Sequence, residues 1–129
     1  MNRFLWILQI ALGLFFLYAG INHFILPDGL PSQMDWMYDL SDGQHLAAGL
    51  AEILGGLGLI LPAVTGIRTE LVSLAAVGLI LVMIGAVVFH IDRGETPQAI
   101  QSLILIVVLG FIGWGRWKVA PHRPGTSSG

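Results

Sequence analysis

Residues 44–61, QHLAAGLAEILGGLGLIL, form an apolar stretch that is nearly long enough to cross a lipid bilayer as a helix. One carboxylic acid, Glu52, lies inside it, and no other ionisable residue lies deep within a long apolar stretch of this chain. A charged side chain at the centre of a membrane helix costs about 2.5–3.5 kcal/mol on insertion scales unless it is paired or neutralised. Glu52 is therefore the first candidate for a functional residue.

Three other stretches have the same apolar character and a similar length: 4–26, 69–90 and 97–114. Their length fits membrane helices better than the short alternating strands of a barrel. Hydrophobic residues make up 55% of the chain and charged residues 11%, against about 25% charged in soluble domains. We predict an all-α, integral membrane four-helix bundle over residues 1–118, with a polar cytoplasmic tail at 119–129.

Charge predicts the orientation of the bundle. Four spans put both termini and the middle loop on one side, and that side carries most of the basic residues: Arg3, Arg68, Arg116, Lys118 and Arg123. By the positive-inside rule, both termini are cytoplasmic. The net charge of −2 and the scattered bases give no nucleic-acid signal. The absence of cysteine excludes disulfides, a thiolate nucleophile, cysteine-bound iron–sulfur clusters and covalent haem of the c type.

Boundary residues refine the spans. Pro62 is expected to end the second helix, and Ser41 with Gln44 forms a capping-box pattern at its start. Within the long first loop, the helical spacing of Met34, Met37 and Tyr38 predicts a short interfacial helix that brings Trp36 near the headgroups; an irregular loop is the alternative. Small residues mark close helix contacts, and we assign that packing role to four glycines: Gly20, Gly55, Gly56 and Gly85.

The polar residues expected in the outer half of the membrane form the candidate site: Tyr18, Asn22, His23, His45, Glu52 and His90. Tyr18 and Glu52 lie at similar depths at about 1.5 Å per residue, so Glu52 is expected to bond to Tyr18 or Asn22. Without a Lys or Arg inside the spans, desolvation favours the protonated form of Glu52. In the alternative interpretation, the histidines are ordinary residues of helix ends and the cluster only ties helices together. The inner half has few polar residues, and Gln9 and Ser73 there are expected to bridge helices.

Metal and haem sites are less favoured. Histidine and carboxylate suit zinc or iron, but neither HxxxH nor ExxH spacing occurs. The histidines also lie too near the surface to ligate a b-type haem. We therefore predict no metal site and no certain cofactor.

Three segments resemble the DoxX/DoxX-like family: Tyr18–His23 (YAGINH), Ala51–Pro62 (AEILGGLGLILP) and Gly85–His90 (GAVVFH). Their order and spacing match the family over about residues 4–116. The resemblance implies a small four-helix protein of the bacterial cytoplasmic membrane, and some relatives are subunits of quinone-linked complexes, including thiosulfate:quinone oxidoreductase and a terminal oxidase. Many relatives carry a lysine where this chain has Asn22-His23.

Two functions remain open at this point. The first is an accessory subunit of a quinone-linked redox system, in which an outer-leaflet pocket around Glu52 accepts a quinone-like ligand. The partners would be the lipid bilayer, a redox protein and, in a homo-oligomer, further copies of the chain. The second is a structural or interaction protein of the membrane with no ligand chemistry of its own.

Overall fold

Four long helices and a short one build the protein, in a computed structural model that describes residues 1–122. The elements are α1 (Asn2–Ile25), a 3-10 helix that we call the cap helix (Ser32–Asp39), α2 (Asp42–Thr65), α3 (Leu71–Asp92), α4 (Thr96–Trp114) and a π-helical segment (Gly115–Val119). The described residues include no strand. All four long helices are long and apolar enough to span a membrane, the fourth together with the π-helical segment. The predicted four-helix membrane bundle is confirmed.

The chain runs back and forth, so the bundle has two distinct ends. The cap end carries the cap helix and the short α3–α4 turn. The termini end carries the start of α1, the α2–α3 turn and the π-helical segment. Within the bundle α1 packs mainly on α2, α3 packs mainly on α4, and α2 joins the two pairs through α3.

Glycines bring α1 and α2 into close contact. A Cβ built on Gly56 would lie 2.7 Å from the backbone oxygen of Gly13, and one built on Gly20 would lie 2.8 Å from the oxygen of Gly49. In each helix the two glycines are two turns apart, so they form one stripe on each facing surface. Gly20 and Gly56 therefore lie where the two backbones approach closely, and a Cβ on Gly55 would collide with Leu79 of α3.

Helix α2 begins as expected and ends later than expected. The hydroxyl of Ser41 accepts a bond from Gln44 N (3.1 Å), and Ser41 N donates to Gln44 Oε1 (2.9 Å), which completes the capping box. Pro62 does not end the helix, which continues to Thr65. A proline lacks a backbone donor and its ring crowds the carbonyl four residues earlier, but the residues that follow it can still adopt helical dihedral angles. One turn later the Thr65 hydroxyl donates to Leu61 O (2.8 Å), and Gly66 closes the helix in a left-handed conformation.

Two polar side chains in the termini-end half of the bundle bridge helices, as predicted. Gln9 Nε2 donates to the carbonyl of Leu59 (2.9 Å), and Ser73 Oγ donates to that of Gly113 (3.0 Å). The buried apolar core is centred on the same half of the bundle: Phe16, Leu59, Ala63, Val72, Ala76, Leu79, Met83, Leu109 and Ile112.

Arg116 closes the termini end from inside. Its side chain is only 4% exposed. The guanidinium donates to Gln9 Oε1 (2.6 Å), Asn2 Oδ1 (2.7 Å) and Ala120 O (2.7 Å). His122 is also buried, and its Nε2 lies 3.2 Å from Gln9 Oε1.

This cluster corrects one sequence-based prediction. Arg116 lies at the termini end with the other basic residues assigned to that side, and it is buried there. Residues 119–129 were assigned to a polar tail, but Val119 belongs to the π-helical segment and Ala120 to His122 pack on the bundle. The rest of that tail, 123–129, lies outside the described residues.

Candidate ligand pocket between the helices

A cavity of about 650 Å³ occupies the cap-end half of the bundle, above the apolar core. All four long helices and the cap helix contribute to its wall, and Phe16 and Met83 of the core form part of its lining. The wall is mostly apolar and aromatic. Its ionisable groups near the centre are Glu52 of α2, His23 of α1 and His90 of α3. The volume lies within the range of small-molecule sites, about 300–1,000 Å³.

Glu52 is paired with a histidine. Its Oε2 lies 3.3 Å from His23 Nε2, and both side chains are almost completely buried. No Lys or Arg of residues 1–122 forms an ion pair with Glu52. The prediction that Glu52 bonds to Tyr18 or Asn22 is therefore wrong, although its actual partner, His23, also belongs to α1. The carboxylate faces a group that carries a positive charge only when it is protonated.

His23 also contacts a second imidazole. Its Nδ1 lies 2.9 Å from Nδ1 of His45, a residue in the first turn of α2. The other ring nitrogen of His45, Nε2, is buried and has no hydrogen-bond partner among the described residues. Glu52, His23 and His45 thus form one continuous chain of acid and base groups, which we call the Glu–His–His chain.

The two remaining α1 candidates lie elsewhere. Tyr18 borders the cavity but is 59% exposed, on the surface that faces lipid. Asn22 is buried and does not line the cavity, and its Nδ2 finds no partner among the described residues. The six predicted residues do not form one funnel. The structure brings together Glu52 and His23 at the wall and places His45 behind them.

His90 lies on the opposite wall and belongs to a separate network. Its Nδ1 is 2.9 Å from Glu95 Oε1, and its ring packs edge-on against Trp36 of the cap helix, with 4.7 Å between ring centroids. The predicted interfacial helix around Trp36 is confirmed. His90 therefore connects the cavity wall to the cap.

Charged groups hold the cap helix over the cavity. Arg93 in the α3–α4 turn donates to Asp39 Oδ2 at the end of the cap helix (2.7 Å) and to Glu95 Oε1 (3.1 Å). Hydrogen bonds from Arg93, and then from His90, hold the pKa of Glu95 below its usual range. The same carboxylates raise the pKa of Arg93. Gln98 Nε2 also donates to the carbonyl of Gln33 (3.0 Å).

Gly85 does not pack helices. A Cβ built there would meet nothing within 4 Å, and the residue lines the cavity. The predicted packing role of Gly85 is wrong, because α3 is separated from its neighbours at this level by the cavity itself. A side chain added at Gly85 would enter open space.

A second, shallower groove of about 500 Å³ lies between α3 and α4 toward the termini end. Its lining is apolar apart from Ser73, which bonds within the bundle, and Glu70. Among the described residues no set of three His, Cys, Asp or Glu side chains is placed to hold a metal ion. The cavity around Glu52 is therefore the candidate site, because buried carboxyl and imidazole groups line it.

Comparison with known proteins adds a family. The family model described as the DoxX-like family matches residues 7–112, from the second turn of α1 to the last turn of α4. The chain belongs to the DoxX-like family. The comparisons with curated proteins and with solved structures gave no match. In this DoxX-like protein the matched range contains the cap helix and the whole Glu–His–His chain.

The sequence missed two features of this DoxX-like protein. One is the contact between His23 and His45, which sequence separation does not reveal because the residues lie on different helices. The other is the Arg116 cluster. Two features of the sequence could have indicated this cluster. Arg116 follows the fourth span within one turn, and Gln9 lies inside the first span.

Proposed function

We propose that this DoxX-like membrane protein binds a quinone or a closely similar amphipathic carbonyl compound in the cavity, as an accessory subunit of a quinone-linked redox system. The observation that carries the proposal is a mostly apolar cavity of ligand size with Glu52 and its imidazole partner in its wall. A quinone has a flat ring and an apolar tail that suit such walls. Its carbonyl oxygens accept hydrogen bonds, which a protonated Glu52 or His23 can donate.

The reaction supported by this site is proton transfer to or from the bound ligand. Reduction of a quinone to a quinol takes up two electrons and two protons. The electrons would come from a partner oxidoreductase, and Glu52 with His23 would deliver one of the protons to a ring oxygen. The cap helix contributes to the wall of the cavity and the wall is mostly apolar, which limits the polar groups that could compete for the transferred proton.

We place the protein in the bacterial cytoplasmic membrane with both termini inside. The excess of basic residues at the termini end supports this orientation, and the DoxX-like family supports the multi-pass membrane location. The redox partner and any self-association belong to the same proposal.

Binding can be tested with a short-chain ubiquinone and the protein's own fluorescence. Trp36 is the one tryptophan that lines the cavity, so a bound quinone should quench it. The test protein would be purified into lipid nanodiscs, and Trp36→Phe would identify the signal. Gly85→Leu places four carbon atoms in the cavity and should weaken binding about tenfold or more, since the ring and the new side chain would overlap.

Gly78→Leu is the matched control. Gly78 lies two turns from Gly85 on α3, a Cβ there also meets nothing within 4 Å, and it does not line the cavity. Wild type and Gly78→Leu should bind alike. Equal quenching of wild type and Gly85→Leu would mean that the quinone partitions into lipid and does not enter the cavity.

A purely structural role is the second candidate, and the pairing of Glu52 with His23 inside the bundle favours it. The variant Glu52→Gln distinguishes a quinone-linked site from a structural cluster. The amide keeps the size and hydrogen bonding of the acid but cannot exchange a proton. A quinone-linked site should keep its fold and lose ligand-linked proton uptake. A structural cluster should tolerate Glu52→Gln without change and lose stability in Glu52→Leu, which leaves the buried Nε2 of His23 without Glu52 as its partner.

A further inference from the structure

The contact between His23 and His45 couples the protonation of the two rings. Their Nδ1 atoms are 2.9 Å apart and both side chains are buried. A hydrogen bond between two ring nitrogens needs a proton on one of them and a lone pair on the other. The protonation of His45 at Nδ1 therefore decides whether His23 can carry a proton at Nδ1, and this in turn affects what His23 presents to Glu52.

We infer that His23 and His45 form a proton relay that connects Glu52 in the cavity with the cap end of α2. This inference deepens the proposed function, because it supplies the route by which the same site exchanges its proton. The three groups follow one another at 3.3 Å and 2.9 Å. The chain ends at His45 Nε2, a buried nitrogen that bonds to nothing else among the described residues.

The relay balances as a transfer of one proton and no electrons. With Glu52 ionised, His23 donates from Nε2 to the carboxylate and accepts at Nδ1 from the Nδ1 proton of His45. A proton that binds His45 at Nε2 allows its Nδ1 proton to move to His23 Nδ1. The Nε2 proton of His23 then moves to Glu52 Oε2. Both rings end neutral with exchanged tautomers, and Glu52 has become an acid.

The positions of the three residues favour proton transfer from His45 toward Glu52. His45 lies in the first turn of α2, at the cap end, and Glu52 lies two turns deeper, about 10 Å along the helix axis. Glu52 and His23 line the cavity, whereas His45 does not. The neighbouring acid–base pair His90 and Glu95 is engaged with Arg93 and the cap helix, so it does not complete the chain.

The tautomers can be read directly by nitrogen NMR of protein labelled with ¹⁵N histidine, without any quinone present. When Glu52 is ionised, we expect His23 to be protonated at Nε2 and His45 at Nδ1. When Glu52 becomes protonated at lower pH, both rings should change tautomer together. Rings that titrate independently, or a His45 that keeps its proton on Nε2 throughout, would overturn the relay.

The rate of transfer gives a second measurement. After a rapid pH change, infrared spectroscopy follows the protonated carboxyl band of Glu52, which Glu52→Gln identifies. His45→Asn keeps a side-chain amide that can bond to His23 Nδ1 but cannot pass a proton on, so the band should form about tenfold or more slowly. His122→Asn, at the termini end, should leave the rate unchanged.

The outcomes separate this inference from the proposed function. Equal rates in wild type and His45→Asn would overturn the relay, whatever the cavity binds. A slowed rate with no quenching by ubiquinone would keep the relay and refute the quinone site.

Discussion

At the scale of the residue, the pairing of Glu52 with an imidazole leaves the charge of the site adjustable. A lysine or arginine in the place of His23 would keep Glu52 ionised at every physiological pH. Histidine is the side chain whose own charge changes between about pH 5 and 8. The Glu52–His23 pair therefore contains no permanent cation.

The sequence predicts how deep each residue lies along its helix. It does not predict which side of the helix the residue faces. The sequence placed Glu52 level with the second half of α1, which the structure confirms. Tyr18 and His23 differ by five residues, or about 140° around the helix, and apolar residues occur on all sides of α1. Nothing in that pattern shows which of them faces α2.

His122 gives a prediction about pH. Burial, and then the neighbouring Arg116, lower the pKa of His122 to about 4 from an ordinary value of 6.5. At pH values between about 4 and 6.5, the His122 side chain is protonated in the unfolded chain but not in the folded protein. Stability should therefore be highest above about pH 6.5 and should fall as the pH drops toward 4.

The measurement is the free energy of unfolding in detergent at pH 7.5 and 5. His122→Asn keeps a donor toward Gln9 but has no ring to titrate, so its loss of stability at pH 5 should be smaller than that of the wild type by on the order of 1–2 kcal/mol. All other residues are the same in the two proteins, so their contributions cancel in the comparison. An identical loss in the two proteins would show that His122 is protonated freely in the folded state.

At the scale of the element, the α1–α2 pair depends on backbone-to-backbone contact. The sequence identified Gly20 and Gly56, because small residues in a membrane helix are a direct signal of close packing. It could not distinguish these from Gly85, since a glycine that faces a neighbour and one that faces a cavity are identical in sequence. The sequence also mispredicts the end of α2. The contacts of Thr65 and Gly66 that extend the helix beyond Pro62 depend on local backbone geometry, which the sequence does not show.

Gly56→Leu should destabilise the bundle by at least about 1–3 kcal/mol. The new Cβ would lie 2.7 Å from the oxygen of Gly13, and a backbone atom cannot move aside without separating the helices. Denaturant unfolding of the purified protein measures the effect. Gly78→Leu serves again as the control, since its Cβ meets nothing. If both variants unfold at the same midpoint, the close approach of α1 and α2 does not contribute to stability.

At the scale of the whole molecule, the number of spans and their order followed from composition and length alone. The requirement that every backbone group in lipid be satisfied internally allows few other solutions. A pocket around Glu52 was expected, but the volume and lining of the cavity did not follow from the sequence, because they depend on how far apart the four helices stand in the cap-end half. The side of the membrane on which each end lies is a prediction that labelling can test.

Ser32 in the cap helix and Ile67 in the α2–α3 turn are both exposed, at opposite ends of the bundle. In this cysteine-free chain, a single cysteine at position 32 should react with a membrane-impermeant thiol reagent in intact cells. A single cysteine at position 67 should react only after lysis. The reverse pattern would place the termini outside.

The contacts of Arg116 bear on how the protein is made. Its guanidinium bonds to Gln9 and Asn2, which are 107 and 114 residues earlier in the chain. A ribosome delivers α1 to the membrane long before it synthesises residue 116. During that interval the side-chain amide of Gln9 does not yet have Arg116 as its partner. Insertion of the spans and closure of the bundle are therefore separate events in time. The polar groups of the first span obtain these partners only when the end of the fourth span has been made.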